Sequence, residues 1–126
     1  MAFYVENNAI YLTKGDDAVL EVASITTEIG EEYALRDADV LTLTVRELPS
    51  AASPVLMQID SAPGSSRIVI RHEDTAELDV GQYSADVQLM TAEGMRYIVW
   101  PRISGSGRYK VRNLNNFVIM PEVTAK

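Results

Sequence analysis

The chain has 126 residues, 18 acidic against 11 basic side chains, a formal charge of -7, one histidine and no cysteine. These counts exclude disulfides, thiolate metal sites and histidine-rich metal sites, and they set long-range repulsion against nucleic acid phosphates and anionic membranes. With 47% apolar and 23% charged residues, the composition predicts one soluble globular domain over 1–126, of a size that buries about two-thirds of its unfolded surface.

The opening "MAFYVENN" has neither a basic nor an apolar leader region, so no secretory signal is expected. No apolar run approaches the ~20 residues that span a bilayer, and no membrane association is predicted. From there the apolar residues recur with period two. Strands are predicted at 9–13 (AIYLT), 17–26 (DAVLEVASIT), 40–47 (VLTLTVRE), 55–60 (VLMQID) and 66–72 (SRIVIRH), followed by 82–91, 95–100 and 116–124. In 40–47, Leu41, Leu43 and Val45 share one face and Thr42, Thr44 and Arg46 the other, as a half-buried strand requires. Turn-forming residues separate the strands at "KGDD", "EIGEE", "PSAASP", "SAPGSS" and "AEG". Pro101 lacks a backbone donor, so the strand ending at Trp100 should stop, bulge or lie on an edge. The pattern predicts an all-β fold, an Ig-like antiparallel β-sandwich of 7–9 strands with Greek-key connections.

The segment "EDTAELDVGQYSADVQL", 73–89, carries the most local information. Asp74 and Glu77 form an acidic version of a capping box, which predicts one short helical turn near residues 74–78. Leu78 returns the chain to the core and Gly81 permits an unusual backbone conformation. Tyr83, Ala85, Val87 and Leu89 then alternate inward. A tyrosine at this place in a Greek-key sandwich donates its hydroxyl to backbone a few residues upstream, so Asp79, Gly81 and Tyr83 are predicted to form a structural corner. In antibody domains a cysteine follows two residues after that tyrosine; here Ala85 stands there. Trp100 follows this segment instead of preceding it, which argues against an antibody-type domain.

Chemistry is poorly marked. His72 ends a strand beside Glu73 and Asp74 and is read as a surface or capping residue, because no nucleophile or orienting partner accompanies it. The acidic pairs Asp16 and Asp17, Glu31 and Glu32, and Glu73 and Asp74 lack the spacing of a calcium loop and are read as solvated turn residues. "SGSGR" lacks the strand and helix that frame a phosphate cradle. No catalytic residue, cofactor or metal is predicted. Cations, by contrast, concentrate late in the chain. Arg102, Arg108, Lys110 and Arg112, with Tyr109 interleaved and Arg96 upstream, form a possible partner-contact patch within "SGSGRYKVRNLNN" and its flank. A solvated loop that balances nearby carboxylates is the plainer reading of these cations; as a contact surface they would meet an acidic protein face, and nucleic acid is unlikely from the net charge.

Taken together, "LTKGDDAVLEV", "DADVLTLTVRE", "EDTAELDVGQYSADVQL" and "NFVIMPEVT" resemble the N-terminal β-sandwich domain of bacteriophage upper baseplate proteins and related short prophage tail proteins. Gly15, Asp16, Asp74, Thr75, Leu78, Gly81, Tyr83 and Asp86 match. The resemblance implies a non-enzymatic virion structural protein, assembled in the bacterial host cytoplasm, that contacts other phage tail or baseplate proteins and forms homo-oligomers. Longer members add a stalk and a receptor-facing region, and the 104–116 segment exceeds the usual link, so an adaptor or attachment module is expected. A carbohydrate-binding module is the alternative, which requires Tyr4, Tyr11, Tyr97 and Trp100 to be exposed on one sheet face. A small hydrolase lacks a nucleophile motif or second histidine.

Overall fold

The computed structural model describes residues 3–6, 9–22, 25–26, 31–50, 52–100 and 116–121. They form strands β1 (Phe3–Glu6), β2 (Ala9–Thr13), β3 (Ala18–Glu21), β4 (Ile25–Thr26), β5 (Glu32–Tyr33), β6 (Val40–Arg46), β7 (Val55–Asp60), β8 (Arg67–Ile70), β9 (Gly81–Met90), β10 (Arg96–Trp100) and β11 (Phe117–Met120). One helical turn, α1 (His72–Thr75), interrupts them. The fold is all-β. Eleven strand segments arise where seven to nine are predicted, because 17–26 divides into β3 and β4 and because β1 and β5 carry too short an alternation to stand out.

Seven strands make one sheet in the order β1-β2-β11-β9-β6-β7, with β10 also paired to β9; β3 and β8 make a second sheet, and β4 and β5 a short ribbon. After β2 the chain crosses to β3, and it returns to the large sheet as β6. After β7 it crosses again to β8, and α1 carries it back to β9 beside β6. The chain thus alternates between the two sheets. Pairing is antiparallel except between β2 and β11, which run parallel in register from Ile10 opposite Phe117 to Thr13 opposite Met120. The sheet is therefore mixed at that place. A parallel neighbour requires a long connection, and almost the whole chain lies between β2 and β11.

Both sheets feed one core. Leu41, Leu43 and Val45 of β6 are fully buried, as their alternation predicts, and they meet Ile10 and Leu12 of β2, Val87 and Leu89 of β9, Ile68 and Ile70 of β8, and Phe117 and Ile119 of β11. Each such side chain contributes about 1.5–3 kcal/mol by leaving water. On the opposite face of the large sheet, Thr42 donates to Asp60 (2.7 Å) and Gln58 donates to Thr44 (3.1 Å), a polar rung set between β6 and β7.

The helical turn starts two residues earlier than predicted. Asp74 does not precede the turn; it stands at its third position and reaches back, accepting from the backbone N–H of Arg71 at 2.8 Å. The N–H of His72 is taken by the Asp17 carboxylate at 2.6 Å, from the turn between β2 and β3. Two orphan donors of the turn are thus satisfied by acids, which also oppose its positive end. Thr75 and Leu78 are buried beneath it.

Candidate functional site

The corner that follows α1 is built by one hydrogen bond. Tyr83 lies half-buried at the start of β9, packed against the core, and its hydroxyl donates to the carbonyl of Asp79 at 2.7 Å. Burial raises the phenol's pKa, and the Asp79 carboxylate nearby raises it further. Gly81 between them has φ of +156°, which L side chains rarely adopt, while nothing lies within 4 Å of a Cβ placed there. The glycine is required by backbone conformation and not by crowding. Tyr83→Phe is expected to lower unfolding free energy by about 1 kcal/mol in urea denaturation, because the Asp79 carbonyl loses its donor while the ring keeps its packing. An unchanged midpoint would remove the bond from the account.

A second device had no sequence signal. The free edge of β9 is shared: β11 pairs with Gly81, Gln82 and Tyr83, and β10 pairs with Val87 to Met90. Between the two stretches, the side-chain amide of Asn116 stands in for a missing strand. Its Oδ1 accepts from the N–H of Ala85 at 2.6 Å and its Nδ2 donates to the carbonyl of Ala85 at 2.9 Å. The backbone carbonyl of Asn116 accepts from Ile10 at 2.7 Å, so one residue joins β9 to β2. Asn116 is only 3% exposed. Where an antibody domain would place its cysteine, this chain has an alanine whose backbone is held by an asparagine. The sequence offers Asn113, Asn115 and Asn116 together, and nothing in their spacing selects the last.

At the opposite end of β9, four side chains converge, Tyr33 from β5, Arg36 and Asp39 from the loop that follows it and Glu93 from the turn after β9. Asp39, fully buried ahead of β6, accepts from the Tyr33 hydroxyl at 2.6 Å and from the Arg36 N–H at 2.9 Å, both on Oδ2. The Arg36 guanidinium donates to Tyr33 Oη at 3.2 Å and forks onto Glu93, at 2.7 and 3.2 Å, in the turn between β9 and β10. Burial pushes the Asp39 carboxyl up, but the hydroxyl, the amide and the guanidinium outweigh it and hold the group below its ordinary value. The hydrogen bond to Asp39, followed by burial, raises Tyr33, and the Arg36 guanidinium lowers Glu93. The turn between β7 and β8 joins in through Gly64, whose N–H donates to the Asp39 carbonyl at 2.8 Å. Gly64 has φ of +79°, and a Cβ there would come within 3.2 Å of the Asp37 backbone. Sequence reading did not single out Tyr33, Arg36, Asp39 or Glu93.

Beside this network lies a shallow cleft of about 430 Å³. Ile25, buried, and Val22 and Leu35, both packed on the core, give it an apolar side. Glu21 and Glu32 stand exposed along it, with Tyr33 and Ser66 between them in the lining. The Ser66 hydroxyl donates to Glu21 and Arg67 Nε lies 3.3 Å from the other oxygen, so the carboxyl is held below its ordinary value, chiefly by the serine.

Elsewhere, Asp86 shares the outer face of the large sheet with Thr44. Its Oδ1 has no hydrogen-bond partner among the described residues, and burial raises its pKa despite the charge of Arg46. An acid raised in the folded state adds stability below its unfolded pKa and loses it as pH rises through the native value. Asp86→Asn is therefore expected to raise the melting temperature at pH 7 relative to the parent, with the difference closing at pH 3. A lower melting temperature at pH 7 would contradict this.

His72 is 60% exposed, with Nδ1 3.0 Å from Asp17 and Nε2 3.6 Å from Glu73, the position of a turn residue between two acids. Among the described residues, no group of three or more histidine, aspartate or glutamate side chains is placed to hold a metal ion. No helix among them is long and apolar enough to cross a membrane. Of the aromatics named for a sugar face, Tyr97 is exposed, while Tyr11 is half-buried and Trp100 packs against the core; the side chain of Tyr4 lies outside the described residues. The strand that carries Trp100 bulges between Ile98 and Trp100 and ends there. Arg102, Arg108, Tyr109, Lys110 and Arg112 lie outside the described residues as well. Comparison with protein-family models, curated proteins and solved structures found no match.

Proposed function

We propose that the chain is a non-enzymatic tail or baseplate component of a bacteriophage or prophage, an adaptor or attachment module that works through protein contacts. The observation that carries this reading is the set of matched residues, which occupy connected structural positions. Gly15 and Asp16 form the turn into β3, Asp74 and Thr75 lie in α1 and Leu78 is buried beneath it, Gly81 and Tyr83 begin β9 and Asp86 lies midway along it. All but Asp86 lie where the chain passes from one sheet to the other. The polar rungs, the single largely exposed ring of Tyr97 among the named aromatics whose side chains are described, and the carboxylate-lined cleft favour protein contact over a sugar-stacking face. Assembly into homo-oligomers goes with the reading, since repeated copies of one part are the usual way such machines are closed.

The test is assembly in the source genome. Tail and baseplate genes should flank this gene, and an antibody to the chain should label particle tails in the electron microscope. A flanking cluster of glycan-utilisation genes, or particles whose tails carry no label, would overturn the proposal. Light scattering on the purified chain gives the copy number of the free protein.

A further inference from the structure

We infer that the cleft beside Tyr33 receives a basic side chain, arginine in preference to lysine, presented by a partner protein. The identity of that partner rests on the docking role proposed above; the chemistry of the cleft does not. Three features converge. The first is shape: a concavity of about 430 Å³ lies at the small end of the range that holds a single anchoring group. The second is charge. Glu21 and Glu32 both line the cleft, and the Ser66 hydroxyl and Arg67 keep Glu21 ionised. Arg67 meets Glu21 from the β8 side, leaving Glu32 as the exposed carboxylate without an ion pair among the described residues.

The third feature is the lining. Val22, Ile25 and Leu35 offer apolar surface to an aliphatic stem, and Tyr33 adds to the same lining an aromatic ring, the group type that attracts a cation. Tyr33 is held in place by its hydroxyl, which donates a hydrogen bond to the Asp39 carboxylate at 2.6 Å, so the side chain does not have to be ordered on binding. An acidic side chain would meet two carboxylates here, and an apolar one would leave Glu32 without a counter-charge. A guanidinium is the planar donor that pairs with a carboxylate and stacks on a ring at once.

The experiment is a titration of the full 15N-labelled chain with capped arginine (N-acetyl-arginine methylamide), with capped norleucine and capped glutamate as controls. Capped arginine should give saturable shifts at the amides of Val22, Ile25, Tyr33, Leu35 and Ser66. Its affinity should fall roughly two- to fivefold in Glu32→Gln, the size of one solvent-facing ion pair, and should fall again when salt is raised. Glu32 is exposed, so that variant keeps the fold, which the remaining resonances report. Shifts absent from these amides, equal affinity for parent and Glu32→Gln, or norleucine binding as well as arginine would each overturn the inference. The titration needs no virion. A failed titration removes the cleft and leaves the tail reading standing, whereas unlabelled tails with a successful titration do the reverse.

Discussion

Replacing Asn116 with alanine is expected to lower the unfolding free energy by about 2–4 kcal/mol. Both backbone groups of Ala85 lose their partner in a place closed to water, and a buried N–H or carbonyl left unmade costs about 1–3 kcal/mol. Among the described residues, no strand stands ready to replace the amide. β11 pairs only as far as Tyr83 and β10 begins its pairing at Val87. Asn116→Asp sharpens the expectation, because it keeps the acceptor for the Ala85 N–H but turns an oxygen toward the Ala85 carbonyl; it should be at least as damaging near neutral pH. Urea unfolding followed by Trp100 fluorescence measures both. A loss under about 0.5 kcal/mol for the alanine variant, the scatter of an ordinary surface substitution, would show that β9 does not depend on the amide.

Asp39→Ala is expected to cost about 2–3 kcal/mol, since the Arg36 N–H and the Tyr33 hydroxyl lose their common acceptor. Glu93→Gln should change stability little, because the pair it weakens is solvent-exposed on both sides. The two variants therefore separate the buried half of the network from its exposed half. Acid titration separates them further. Asp39 and Glu93 are both held below their ordinary values in the folded chain, so the stability they add is present above about pH 4 and falls away as pH drops through the lowered native values. Asp17 and Glu21 act in the same direction. Removing Asp39 should flatten the loss of stability below pH 4 while lowering the whole curve above it. An Asp39→Ala curve parallel to the parent's through that range would mean that other carboxylates carry the acid sensitivity.

Alternation made the frame legible from the chain alone. The run 40–47 placed Leu41, Leu43 and Val45 inward, and they are the centre of the core, because a strand with one buried face has no other way to repeat. Tyr83 could be placed because its partner lies four residues upstream, within one turn of chain. Among the bonds that escaped reading are those between residues far apart, although the Tyr33 and Asp39 pair, six positions apart, escaped as well. Arg36 and Glu93 are separated by 57 positions and Asn116 and Ala85 by 31, and no local pattern marks such pairs. β1 escaped for a different reason: four residues give too few alternations to distinguish a strand from chance. The helical turn was displaced by two residues because an aspartate ahead of a turn and one inside it look alike in sequence; only the backward bond to Arg71 tells them apart.

The divided edge of β9 has a consequence for how this chain tolerates change. Trp100 sits opposite Val87 and Phe117 opposite Tyr83, so the stem from which the chain departs and the stem to which it returns are pinned four residues apart on one rigid ruler, about 13 Å. Whatever polypeptide joins them has its end-to-end span dictated by β9 and not by its own length, and each doubling of that length adds only about 0.6 kcal/mol to closing it. The separation of the two stems is thereby a property of β9, through the pairings of Trp100 and Phe117.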